Sequence, residues 1–152
     1  MRDMNISLRA ARPEDFEFCW NLYAEQAAWI VETLRLPPQE RYFRRAWKPS
    51  EVRIVVLHNA TDVGWLQTRS EGDALFLGQI YIAANFQRRG IGTRVMEMLM
   101  TDAQPMTLAV VKISSAVRFY KRLGFYAERE DHEKLFMRRT PGLTAPIANL
   151  RS

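Results

Sequence analysis

Apolar residues along this chain change their period several times, and each change marks an element. Ile6 to Ala10 is a short apolar run ahead of Pro13, the pattern of a strand closed by a turn. From Phe16 the period lengthens. Phe16, Trp20, Tyr23, Ala24 and Ala27 fall at helical spacing behind Pro13, Glu14 and Asp15. Those three suit a first turn: proline there gives up no bonded N–H, and carboxylates meet the positive end of the helix dipole. Ile30, Val31 and Leu34 continue this helix or begin a separate piece, and Leu36-Pro37-Pro38 ends it. Gln39 to Lys48 sets Phe43 and Trp47 on one side and Arg41, Arg44, Arg45 and Lys48 on another, a short basic amphipathic helix.

The middle of the chain reads as sheet. Val52 to Leu57 and Val63 to Arg69 flank the turn HNATD as an antiparallel hairpin, and Glu71-Gly72-Asp73 turns the chain again. Ala74 to Ala83 is the longest strand candidate, and its lack of alternation predicts burial on both faces. Val95, Met96, Leu99, Met100 and Ala103 then mark a helix ending near Gln104-Pro105, followed by a strand at Met106 to Val111. Strand, helix, strand is a βαβ unit, so its two strands should be parallel. Ser114 can cap a helix carrying Ala116, Val117, Phe119, Tyr120 and Leu123, with Gly124 as its stop. Phe125 to Arg129 and Lys134 to Arg138 form a closing hairpin. The expected fold is α/β of the α+β type: a single domain with a mixed central sheet of about six or seven strands flanked by about four helices. The domain should span residues 1–140 and a tail 141–152, whose apolar Leu143, Ile147 and Leu150 leave a homodimer open.

Bulk properties narrow the setting. A chain of 152 residues suits one domain, and no stretch approaches the roughly 18 uninterrupted apolar residues of a membrane span. The N-terminus shows neither leader nor anchor, so a cytoplasmic location is expected and the sequon at Asn59 is inert. Cys19 is the only cysteine, which excludes an intrachain disulfide, and two scattered histidines assemble no metal site. His58 and His132 receive no role. A net charge of +5 draws an anionic partner without saying which.

Candidate chemistry concentrates in NFQRRGIGTRVM, residues 85 to 96. Glycine admits positive φ and close approach of an outside group, and the first amides of a helix point outward with the dipole's positive end. The junction is therefore an anion site in waiting. It lacks the GxxxxGK[ST] of a P-loop, and GxGxxG fails at Val95. IYIAANFQRRGIGTRVM instead resembles the acetyl-CoA loop of the GNAT superfamily of N-acyltransferases, Q/R-x-x-G-x-G/A after a buried strand, matched by Gln87, Gly90 and Gly92. AVRFYKRLGF, residues 116 to 125, resembles that family's second signature through Ala116, Phe119, Tyr120, Gly124 and Phe125. The order of elements is similar over residues 6 to 138.

That resemblance implies acetyl-CoA as cosubstrate, no metal, and a primary amine on a small molecule or peptide as acceptor. It implies that amides of Arg88, Arg89, Gly90, Ile91, Gly92 and Thr93 hold the pyrophosphate, and that the backbone of Ile80, Tyr81 and Ile82 pairs with the pantetheine arm. Phe119 is carried over as a coenzyme neighbour. The family's usual proline, glycine and asparagine are replaced by Ala84, Arg88 and the Ile113-Ser114-Ser115 stretch; the first two departures should cost little, and Ser114 stands in for the asparagine. Tyr120 matches the usual general acid, against the blander reading of a core aromatic with a bonded hydroxyl.

Making a lysine-like amine neutral at pH 7 costs roughly 4.6 kcal/mol, so a base or water chain is expected. Glu25, Glu32 and Asp73 remain candidates, and an amide near Ile82 would meet the oxyanion. The alternative is a non-catalytic acetyl-CoA sensor with the same fold. A nucleic-acid binder is disfavoured, since neither an aromatic strand motif nor a recognition helix is visible. Polyamine, amino acid, antibiotic and protein N-terminus all stay open as acceptors.

Overall fold

The computed structural model describes residues 4–142; the expected tail, with Leu143, Ile147 and Leu150, lies outside the described residues from 143 onward. Seven strands and four helices follow the order β1 (Ile6–Ala10), α1 (Phe16–Thr33), α2 (Glu40–Ala46), β2 (Val52–Leu57), β3 (Thr61–Glu71), β4 (Ala74–Ile82), α3 (Ile91–Leu99), β5 (Met106–Val111), α4 (Ala116–Arg122), β6 (Tyr126–Glu130) and β7 (Lys134–Arg139). The sheet order is β1-β2-β3-β4-β5-β7-β6. Leu75, Phe76 and Leu77 of β4 pair in parallel with Met106, Thr107 and Leu108 of β5, as a βαβ crossover requires. The pairs β1–β2, β2–β3, β5–β7 and β6–β7 are antiparallel, so the sheet is mixed. Two compact units divide the chain, one from the N-terminus to Gln67 with Gln79–Met96, the other Thr68–Gly78 with the chain from Glu97.

The first unit is built on aromatic packing. Cys19 and Leu22 of α1, Phe43 of α2, Trp47 and the inward residues Val52, Ile54, Val56 and Trp65 form one buried cluster. Phe43 lies at its centre, stacked on Tyr23 at 4.9 Å and edge-on to Trp65 at 5.7 Å. This is why α2 is short yet ordered: seven residues are too few to stand alone in water, and Phe43 anchors them. Its arginines face outward, and Arg44 lies over the Phe16 ring at 4.4 Å. Ile30 and Val31 continue α1 to Thr33, where Arg35 at φ 54 turns the chain out ahead of the two prolines. His58 and Asn59, at φ 56 and 59, both take the left-handed conformation that a tight hairpin turn demands. Arg9 of β1 ties the unit together. Its guanidinium donates to both carboxylate oxygens of Asp15 at 3.0 Å and to Asp62 at 3.0 Å, while Asp15 also accepts the Arg12 N–H at 2.8 Å.

In the second unit, β7 pairs with β5 over six residues and carries β6 on its outer side. α4 ends as predicted at Gly124 (φ 99), where the Phe125 N–H reaches back to the Tyr120 carbonyl at 3.1 Å. Two sequence expectations need correction. The third helix stops at Leu99 rather than near Gln104, and the Thr101 hydroxyl instead accepts the Ala103 N–H at 3.2 Å, a local bond that competes with helix. β4 is not buried on both faces. Only Ala74 and Leu77 are, because Gly78 has no side chain to cover and Gln79 is polar.

Candidate active site

The end of β4 is held in place by two glutamines. Gln26 of α1 donates its amide to the Ile82 carbonyl at 2.6 Å, and Gln87 donates to the same oxygen at 2.8 Å. The next amide, Ala83 N–H, is bonded to the Val63 carbonyl at 2.8 Å. The peptide between Ile82 and Ala83 is therefore gripped at both its oxygen and its N–H. Sequence reading missed Gln26, since 56 residues separate it from its acceptor and no local period marks it. Behind the clamp, Gly64 of β3 lies so close that a Cβ there would strike the Tyr81 carbonyl oxygen. A glycine is required at that position to let the two backbones meet.

From Ile82 the chain makes a 3-10 turn at Ala84–Phe86 and then bends twice through left-handed residues, Arg88 at φ 65 and Gly90 at φ 84. The first helical bond of α3 runs from the Arg94 N–H to the Gly90 carbonyl at 3.0 Å, so the amides of Ile91, Gly92 and Thr93 have no acceptor inside the helix. Ile91, Val95, Met96 and Leu99 are buried and fix this helix, while Gly90 just ahead of it is exposed. A Cβ on Gly90 would meet only Met4 Cε, at 3.7 Å, so it is the dihedral rather than space that demands glycine there. Gly92 lacks positive φ, so it is not the dihedral that calls for glycine there. The replacement of glycine by Arg88 is not cheap, contrary to the sequence expectation, because an L-residue in that conformation costs about 1–2 kcal/mol. Arg88, Arg89 and Arg94 are exposed, with Arg89 over the Phe86 ring at 5.2 Å. First-turn amides with no acceptor inside the helix, beside exposed cations, are a donor set that suits a diphosphate.

In the second unit, Tyr120 of α4 is 8% exposed and packs on Phe119 at 5.3 Å and Phe125 at 5.7 Å. Burial pushes its phenol up to about 12. Its hydroxyl has no hydrogen-bond partner among the described residues. Ser114 precedes the helix cap, Ser115, and its Oγ accepts the Ala116 N–H at 3.0 Å. Phe119 is half-buried.

Of the candidate bases, Glu25 and Asp73 are exposed. Glu32, also exposed, lies on a groove of about 440 Å³ along α1. Cys19 is fully buried, and burial pushes its thiol up to about 12, which leaves it inert as a nucleophile. Among the described residues no cluster of histidine, cysteine or carboxylate side chains is arranged to hold a metal, and no helix is long and apolar enough to cross a membrane.

The family model of the acetyltransferase (GNAT) domain matches residues 49–127, more than half of the chain. The protein belongs to that family and is an acyltransferase. Its fold is shared with N-acetylglutamate synthase from Neisseria gonorrhoeae, solved with coenzyme A and N-acetyl-glutamate, at TM-score 0.68 and 15% identity over 92% of this chain. The chain spans 36% of that synthase's length. It is also similar to Arabidopsis thaliana Naa50 in complex with the bisubstrate analogue CoA-Ac-MVNAL, at TM-score 0.61, 18% identity, 89% of this chain and 98% of that one. An acetyltransferase from Thermus thermophilus aligns at TM-score 0.69 and 17% identity, over 89% of this chain and 96% of its own. No curated protein sequence matches the chain.

Proposed function

We propose that the protein moves an acetyl group from acetyl-CoA to a primary amine of a small molecule or peptide, by direct attack within a ternary complex. The turn at residues 87–93 carries this reading: two left-handed residues lead into the first turn of α3, whose amides at Ile91, Gly92 and Thr93 have no acceptor inside the helix. The amides from Arg88 to Thr93 take the diphosphate, and the exposed Arg88 and Arg89 add charge. The backbone of Ile80, Tyr81 and Ile82 takes the pantetheine arm. An amide near Ile82 meets the oxygen as the thioester carbonyl becomes tetrahedral, and the clamp of Gln26 and Gln87 keeps that stretch from turning.

The neutral amine nitrogen attacks the carbonyl carbon, the C–S bond breaks, and the electron pair leaves on sulfur. Its match to the second signature supports Tyr120 as the residue that meets that sulfur. With the phenol near 12 and a thiol near 8.5, complete transfer from Tyr120 would cost roughly 5 kcal/mol. Tyr120 therefore donates a hydrogen bond to the developing charge, and the proton that ends on sulfur is the one released by the nitrogen after attack. Residues 1–140 form the catalytic domain in this reading, with 141–152 appended to it.

The test is thiol release from acetyl-CoA across an amine panel, with calorimetry of coenzyme A binding. Tyr120→Phe is expected to lower turnover on the order of 100-fold with little change in coenzyme affinity. Unchanged turnover removes Tyr120 from the reaction. No heat on titrating coenzyme A into the folded protein removes the reading itself.

A further inference from the structure

The groove of about 440 Å³ along α1 has a composition that selects its occupant. Trp20, Tyr23, Ala24, Ala28, Val31 and Glu32 line it, so that along α1 its lining runs from two aromatic residues through small apolar ones to an exposed carboxylate. Ala24, Ala28 and Val31 recur at helical spacing, so one flank of α1 is cut back to small apolar side chains over successive turns. Of the described residues lining the groove, Glu32 alone is charged, and it is a carboxylate in a chain of net charge +5. Gln39 adds a polar group at the aromatic end, where it accepts from the Tyr23 hydroxyl at 3.4 Å.

The aromatic end abuts the end of β4. The Tyr23 ring meets Tyr81 edge-on at 5.7 Å, and Gln26, one turn along α1, holds the Ile82 carbonyl. Glu32 lies nine residues beyond Tyr23, roughly 13 Å along the helix axis.

We propose that this groove seats the acceptor and that the acceptor is a linear aliphatic polyamine. Its reacting nitrogen lies at the Tyr23–Tyr81 end, its methylenes cover Ala24, Ala28 and Val31, and a distal ammonium pairs with Glu32. The aromatic faces of Trp20 and Tyr23 suit an amine that enters as a cation before losing its proton. An acidic acceptor would meet Glu32 unfavourably, and a short monoamine would leave it unpaired. The proposal rests on the acetyl-transfer reading for the position of the reacting end.

The experiment compares spermidine with an amino alcohol of equal chain length, by thiol release and by calorimetry into both free and coenzyme A-saturated protein. Spermidine is expected to be preferred about fivefold, the size of one well-placed exposed ion pair. Glu32→Gln should bring the two close to parity by raising KM for spermidine more than it lowers kcat, and Ala28→Trp, at an exposed lining position, should weaken spermidine binding by obstructing the groove. Equal use of the amino alcohol, a preference that survives Glu32→Gln, or no heat from spermidine would overturn the proposal. Turnover of other amines without this preference sinks the polyamine and leaves acetyl transfer standing. Failure of coenzyme A to bind sinks acetyl transfer, while spermidine titrated into the free protein still decides the groove.

Discussion

Tyr120 shows how one residue's surroundings set a pH profile. Its folded pKa is raised by burial to about 12, so the hydroxyl stays protonated until pH rises through that value. Activity should therefore climb with pH as the amine loses its proton and show no fall by about pH 10, the point at which an ordinary tyrosine would half-ionise. A descending limb below pH 10 that persists in Tyr120→Phe would assign the loss to another group. Gln26 and Gln87 offer a second test, because both donate to one oxygen. Replacing either by leucine leaves the Ile82 carbonyl with one amide donor, and replacing both leaves none. A double-mutant cycle on kcat should give a coupling of about 1 kcal/mol, with KM for acetyl-CoA shifting as well, whereas a purely structural pair would move only the melting temperature. Gln87 was legible in the sequence as part of the loop motif. The use of its side chain was not, since that depends on where Ile82 arrives in space, and Gln26 had no local signal at all.

At the scale of elements, the turn into α3 joins a strained residue to a required one. Arg88→Gly relieves a left-handed arginine worth about 1–2 kcal/mol, offset by roughly 0.5–1 kcal/mol of added chain entropy. A net gain of about 0.5–1 kcal/mol should raise the melting temperature by about 2 °C in a domain of this size. Gly90→Ala, at φ 84, should lose about 1–2 kcal/mol. The start of α1 gives an acid-side prediction. Hydrogen bonding to Arg9 holds the Asp15 carboxyl below its usual range, so its stabilisation is present above the unfolded value near 3.9 and is lost as pH falls through the folded value. Urea midpoints of wild type and Asp15→Asn should differ at pH 7 and converge as pH drops well below 4. The strands, the α1 cap region and the glycine stop of α4 were readable because period and turn chemistry are local. The early end of α3 was not, because one threonine hydroxyl competing for a backbone N–H outweighed two further apolar residues in the pattern.

The whole molecule adds what no single element carries. The two hairpins and the parallel crossover were legible, but the placing of β1 beside β2 and of β7 between β5 and β6 was not, because those pairings join segments far apart in the chain. The family model spans residues 49–127, which include both motifs that the sequence displayed. Net charge contributes a term of its own. If acetyl-CoA binds at the start of α3, a chain at +5 with Arg88, Arg89 and Arg94 exposed there would draw that polyanion over distances beyond contact. Such attraction is screened over a Debye length of about 10 Å at 0.1 M salt and about 3 Å at 1 M. The KM for acetyl-CoA should accordingly rise with ionic strength, while kcat, set once the complex is formed, changes little. Arg88→Ala with Arg89→Ala should flatten that dependence, whereas Arg41→Ala with Arg45→Ala, on the outer face of α2, should leave most of it. Equal slopes in the two double variants would mean that the coenzyme responds to total charge rather than to the cations at the start of α3. Its diphosphate would then have to be held by backbone amides alone.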